Sequence, residues 1–234
     1  MAEDPGARPL RRVTRPRLYE QVAHQVLEWV RENGLGVGDR LPPERELAAR
    51  LGVSRATVAQ ALVAMEVVGV VAVRHGDGAV LVDSSRTGSV VAALRGHAQR
   101  LPEVIEAREA LETKLAALAA ERRTETDLAA IDAALALMAE DIERGGRGVE
   151  GDERFHAAVT AAGHSALLER LMGEIGDLVR ETRIESLSQP ERPAESLAGH
   201  RRIAEAIRSG DPRAAAAAMH DHVDRVSDVA LLRD

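Results

Sequence analysis

Cysteine is absent from this chain of 234 residues, which excludes disulfides, zinc knuckles, thiolate metal centres and cysteine nucleophiles. Aromatic side chains are nearly absent too: Tyr19, Trp29 and Phe155 are the only three. Without them there is no stacking platform for single strands or RNA loops, so any nucleic acid bound is expected to be duplex DNA. No apolar run reaches membrane-spanning length, and no apolar core of an export signal follows the basic stretch 1–16. The expectation is a soluble, cytoplasmic protein with no membrane partner.

A net charge of −7 argues against nucleic acid until it is divided along the chain. From Arg8 to Arg74 there are 11 arginines against 7 acids, whereas residues 84–234 carry 20 basic and 27 acidic residues. The first third is locally basic and the remainder acidic. With 45% hydrophobic residues the chain can bury two separate cores, and two domains are expected.

Residues 1–16, rich in Pro, Arg and Gly, read as a flexible arm. Leu18, Val22, Val26, Trp29 and Val30 then recur at helical spacing, and Asn33-Gly34 closes that helix. Asp39 to Pro43 is an extended turn, since each proline removes a donor and disfavours helix in its predecessor. A second helix spans about 44–51 and ends at Gly52; Ser54 caps a third, which buries Val58, Ala61, Leu62 and Met65 and stops at Gly69. Two short helices joined by Gly52-Val53-Ser54 have the spacing of a helix-turn-helix. The β-branched runs 70–74 and 79–83 flank the turn His75-Gly76-Asp77-Gly78, which makes a hairpin wing.

After a polar linker at 84–88, helical periodicity predicts segments near 89–99, 102–122, 125–144, 149–162, 165–187, 191–209 and 212–232, with no strand signal. The fold class is therefore mainly α: a winged helix-turn-helix of three helices plus a hairpin over 17–83, and an all-α antiparallel bundle over 89–234.

The first residues of a recognition helix meet base edges in the major groove. Arg55 has the geometry for guanine O6 and N7, Gln60 for adenine, and Thr57 for a thymine methyl or a phosphate; Arg45 has the reach for phosphate or a groove edge. A solvated Arg55 at a helix start is the plain alternative. The run Leu18 to Val82 closely resembles the DNA-binding domain of the GntR family of bacterial repressors, above all in Gly38-Asp39-Arg40-Leu41-Pro42, Glu44-Arg45-Glu46-Leu47-Ala48 and Leu51-Gly52-Val53-Ser54-Arg55. The resemblance implies that Arg45 and Arg55 contact DNA and that His75-Gly76 sits where the wing tip meets the minor groove. Two departures stand out: Ala59 replaces a usual recognition-helix arginine, so the operator is expected to differ, and Pro43 replaces the usual capping serine.

In the acidic half, Asp152 and His156 are i and i+4 on one inward stripe. His200 shares a stripe with Leu197, Ala204 and Ile207, and His222 shares one with Met219, Val223 and Val226, while His220 points outward. The Gly210-Asp211-Pro212 turn lies about ten residues from each of His200 and His222, so antiparallel helices bring the two level. One carboxylate and three imidazoles suit a divalent transition metal, zinc or nickel, with positions open for a ligand; satisfied polar core residues are the alternative. Arg108 lies on the buried stripe of Leu101, Val104, Ile105, Leu111 and Leu115 and needs a partner, either an anionic effector or an internal acid such as Asp152.

The segments "EVIEAREALETKLAALAA" (Glu103 to Ala120), "DERFHAAVTAAGHSALL" (Asp152 to Leu168) and "GHRRIAEAIRSGDPRAAAAAMHDHV" (Gly199 to Val223) resemble the FCD ligand-binding domain of FadR-type GntR regulators. That resemblance implies a metal on Asp152, His156, His200 and His222 and an effector contact at Arg108. His164-Ser165 stands where the family has Asn-Pro, a variation of helix start rather than a further ligand. The expected function is a transcription regulator, a repressor by preference, that binds a palindromic operator as a homodimer and responds to a small organic or sugar acid. A metal-dependent enzyme would not need the winged helix, and a purely architectural DNA binder would not need the inward polar cluster.

Overall fold

The computed structural model describes residues 17–74, 78–83 and 90–227. The N-terminal unit contains α1 (Leu18–Glu32), α2 (Glu44–Leu51), α3 (Arg55–Val67), β1 (Val71–Arg74) and β2 (Gly78–Leu81). Ser54 caps α3 by accepting from the Thr57 amide, as its place before the helix predicts. No side chain caps α2; the Pro43 carbonyl accepts from Glu46 and Leu47 instead. The two strands are antiparallel, with Val71 opposite Leu81. The turn before α2 joins them: Leu41 donates to the Ala79 carbonyl and Leu81 to that of Asp39, so the wing is tied to its own helices from a third side.

The helical region contains α4 (Val90–Arg122), α5 (Glu125–Glu143), α6 (Val149–Ala162), α7 (Ala166–Glu174), α8 (Gly176–Leu187), α9 (Arg192–Ser209) and α10 (Pro212–Ser227). Two expectations need correction. The helices expected at 89–99 and 102–122 are one 33-residue helix with Pro102 inside it. Pro102 lies on the exposed side, and the buried series Leu94, His97, Leu101, Val104, Arg108, Glu112, Leu115 runs past it without a change of phase. Packing along that stripe outweighs the backbone bond the proline removes. Conversely, the helix expected at 165–187 breaks at Ile175, between Gly173 and Gly176, where two glycines weaken the helix and α7 buries nothing to compensate.

α10 lies along α4 and α9, and α5 packs on α6 and α9. Their shared core holds Phe155, Val159, Ile203, Ile207, Met219 and Val223. The core of the winged helix continues past residue 83, because Leu94 of α4 and Ile184 of α8 are buried within it. No helix among the described residues is long and apolar enough to cross a membrane.

Candidate functional site

The DNA-facing candidates lie at the starts of α2 and α3. Arg45 and Arg55 are exposed and, among the described residues, form no ion pair, whereas neighbouring Arg50 is held by Glu46 and lies 5.9 Å from the centre of the Trp29 ring. Thr57 and Gln60 are half-buried, and the Thr57 hydroxyl pairs with Ser54 Oγ at 2.8 Å. Thr57 therefore helps to hold the helix start at which Arg55 stands. His75 and Gly76, expected at the wing tip, lie outside the described residues.

The second candidate is buried in the bundle. α6 supplies Asp152 and His156, α9 supplies His200 and α10 supplies His222, and all four are buried. The α9–α10 turn forms as its residues predict: Gly210 adopts a left-handed φ of 71°, and Asp211 Oδ1 accepts from the amides of Arg213 and Ala214. His200 and His222 are level in consequence, with Nε2 atoms 3.3 Å apart. Gly199 permits that approach, since a Cβ there would stand 3.0 Å from His222 Nδ1. His156 Nε2 lies 3.2 Å from His200 Nε2, and Phe155 stacks on the His200 ring at 4.1 Å.

Tetrahedral nitrogen ligands at ~2.0 Å from one zinc ion stand about 3.3 Å apart, so two of the three imidazole spacings already have the size of a ligand set. Burial pushes the pKa of His200 and His222 well below the ordinary value and lowers that of His156, reinforced by neighbouring positive charge. Those shifts favour the neutral imidazole, the form that has a lone pair to offer a metal. Asp152 stands at the edge of this group: Oδ1 is 3.5 Å from His200 Nε2 and accepts from Ser196, and Oδ2 is 3.4 Å from Arg183 Nε. His220 is exposed beside Glu109, and His164 pairs with Asp127 away from the cluster.

Arg108 is fully buried, and its acid is Glu112, one turn along α4, rather than Asp152. Nε donates to Glu112 at 2.9 Å and Nη1 to Thr182 at 2.9 Å, while Nη2 has no hydrogen-bond partner. Glu112 and Arg183 were not singled out in the sequence. Burial opposes charge on Glu112, but Arg108, with His156 and Arg183, holds its carboxyl well below the usual carboxylate range. Its Oε2 comes within 2.7 Å of His156 Nδ1, though without hydrogen-bond alignment. Glu112 thus stands on the Nδ1 side of the His156 ring, while Nε2 faces His200. Its spacing four residues after a buried arginine was a visible signal; Arg183 arrives from a distant helix and had none.

Exposed arginines on a helix-turn-helix, together with a buried polar cluster in a separate bundle, define a regulator that reads DNA with one half and senses a small molecule with the other. Comparison with known proteins agrees. The profile described as "Bacterial regulatory proteins, gntR family" matches residues 18–81, and that of the FCD domain matches residues 103–225. The HTH-type transcriptional regulator LutR of Bacillus subtilis (strain 168) is 33% identical over 208 residues, covering 86% of this chain and 95% of its own. The Uxu operon transcriptional regulator of Escherichia coli (strain K12) is 31% identical over 220 residues, covering 90% and 85%. Among solved structures, Streptococcus agalactiae GntR aligns with a TM-score of 0.50 and 27% identity over 91% of this chain and all of that one. The chain belongs to the GntR family of bacterial transcription regulators with an FCD effector-binding domain. It is a DNA-binding regulator and not an enzyme.

Proposed function

We propose that the protein is a cytoplasmic, dimeric repressor that grips a palindromic operator through Arg45, Arg55, Thr57 and Gln60, with His75-Gly76 at the minor groove, and responds to a small carboxylate. Two-fold pairing of helix-turn-helix units is what a palindrome requires. The residues that would hold one divalent metal, zinc first and nickel second, are Asp152, His156, His200 and His222. The metal would supply a Lewis-acid anchor for an effector carboxylate. Arg108 then orients that carboxylate, Glu112 and Thr182 hold the guanidinium in place, and the buried wall of α4 and α8 keeps water out.

The observation that carries this reading is the buried Arg108 Nη2, an unpartnered donor in the same core as three converging imidazoles. A buried donor left unsatisfied costs about 1–3 kcal/mol, which an anionic ligand would recover. The test is a thermal-shift screen of carboxylic and sugar acids against the wild type and Arg108→Ala. An acid that stabilises only the wild type, and that alters operator affinity only in the wild type, is expected. A neutral active compound, or an equal shift in both proteins, contradicts the reading.

A further inference from the structure

Between α5 and α6 runs the loop Arg144-Gly145-Gly146-Arg147-Gly148. It is pinned against α5: the Asp141 carbonyl accepts from the Gly146 amide, and the Asp141 carboxylate accepts from that of Gly148. Gly148 has φ 71°, and a Cβ there would lie 2.8 Å from Met138. The loop is therefore a fixed mount, and Arg147 is the side chain it presents. Arg147 Nη2 meets both oxygens of Glu66 on α3 at 2.8 Å and the Val73 carbonyl of β1 at 3.3 Å, and Nη1 donates to Ser188 at the end of α8 at 2.5 Å. Glu66 in turn accepts from the Val73 amide at 3.0 Å. One guanidinium of the helical half thus holds the recognition helix and the wing strand to each other and to α8.

Both elements that carry this bridge also carry the buried site. α6 begins at the residue after Gly148 and presents Asp152 and His156 within its first eight positions. α8 presents Thr182 to Arg108, Arg183 to Asp152 and Glu112, Ile184 to the core of the winged helix, and is capped at Ser188. Val149, the first residue of α6, also packs against that core. Asp152 lies on α6, which starts two residues after Arg147, and Arg183 lies on α8, whose C-cap Ser188 accepts from Arg147. A ligand shifts such a setting only through unequal affinity for two arrangements, and the Asp152–Arg183 pair is the contact that a metal and an anion would redistribute.

We propose that Arg147 is a positioning residue for the DNA-reading helix and wing, and that through Glu66, Val73 and Ser188 it transmits occupancy of the buried site to them. The transmission rests on the function proposed above; the positioning does not. The test uses the full chain, Zn2+ as the probe of the site, and a duplex selected by the wild type from a random library. Arg147→Ala, Arg147→Lys and Glu66→Gln are compared by zinc titration, amide exchange and duplex affinity. Arg147→Ala is expected to bind zinc as the wild type does, yet to exchange the amides of residues 70–74 about tenfold faster with or without metal. Zinc is expected to change duplex affinity by about threefold or more in the wild type and not in Arg147→Ala, with Arg147→Lys and Glu66→Gln between them. A purely local loss of packing would leave the zinc response intact. Wild-type exchange at 70–74 in Arg147→Ala overturns the positioning role, and this arm is decisive in metal-free protein. Zinc bound without effect on wild-type duplex affinity, or an undiminished response in Arg147→Ala, overturns the transmission. A wild type that binds no zinc contradicts the proposed metal site instead.

Discussion

Among the described residues before 84, the buried charged groups are Glu20 and Glu66, and both stand at the boundary with the helical half, near Arg95 and Arg147. The helical half buries His97, Arg108, Glu112, Asp152, His156, Glu185, His200 and His222. The first half is an ordinary apolar core with its candidate DNA-reading residues, Arg45 and Arg55, on the outside, where the proposed function needs them to meet a polyanion. The second places its working residues inside, where desolvation makes each charge costly unless paired and where a small ligand makes many contacts at once. Stability and function are separable in the winged helix and share the same side chains in the bundle.

That contrast is sharpest at Glu112, which faces Arg108, Arg183 and His156 with almost no solvent. Glu112→Ala leaves the buried Arg108 without its carboxylate, with Arg183 keeping only Asp152, and is expected to cost about 3–5 kcal/mol in urea unfolding, whereas Glu46→Ala on the winged helix should cost under about 1 kcal/mol. Similar losses for the two would erase the distinction.

A second contrast is in pH. His97 on α4 lies 3.0 Å from Glu181 and 2.8 Å from Glu185; burial opposes its charge, but the two carboxylates push its pKa up to about 9. The folded value is raised above the ordinary 6.5, so this stabilisation is complete below about 6.5 and is lost as pH rises through about 9. Its size is at most about 3 kcal/mol from that shift. His97→Gln should flatten the stability profile between those values, and an unchanged slope would remove His97 as its cause.

On the DNA-reading side, Arg55→Ala should weaken operator binding by about 1–3 kcal/mol in an anisotropy titration while leaving the melting temperature unchanged. Ser54→Ala is expected to do the reverse, costing about 1 kcal/mol of stability through loss of the cap on α3, with binding reduced only as far as the helix start frays. If Arg55→Ala destabilised the fold as much as it weakened binding, surface function and core stability would not be separable there.

The two halves also differ in how far they could be read from the chain. Caps, glycines, the proline turn and the hairpin are local signals, and they gave the winged helix nearly residue by residue. Inward stripes identified Asp152, His156, His200, His222 and Arg108 as buried, and equal distances from Gly210 brought two of the histidines level. Where local and tertiary signals disagreed, tertiary packing won: the buried stripe of α4 passes Pro102, while α7, with no buried residue, ends between two glycines. Arg183 and Arg147 act through partners far away in sequence, and no periodicity encodes them.

The central claim, that the polar interior of the bundle is a metal-anchored sensor, is tested most directly by elemental analysis of the purified protein and of its His200→Ala/His222→Ala variant. The account predicts one divalent metal per chain in the wild type and none in the variant, with chelation lowering the melting temperature of the wild type alone. Full metal content in the variant, or a folded wild type that takes up no zinc or nickel when these are supplied, would contradict it.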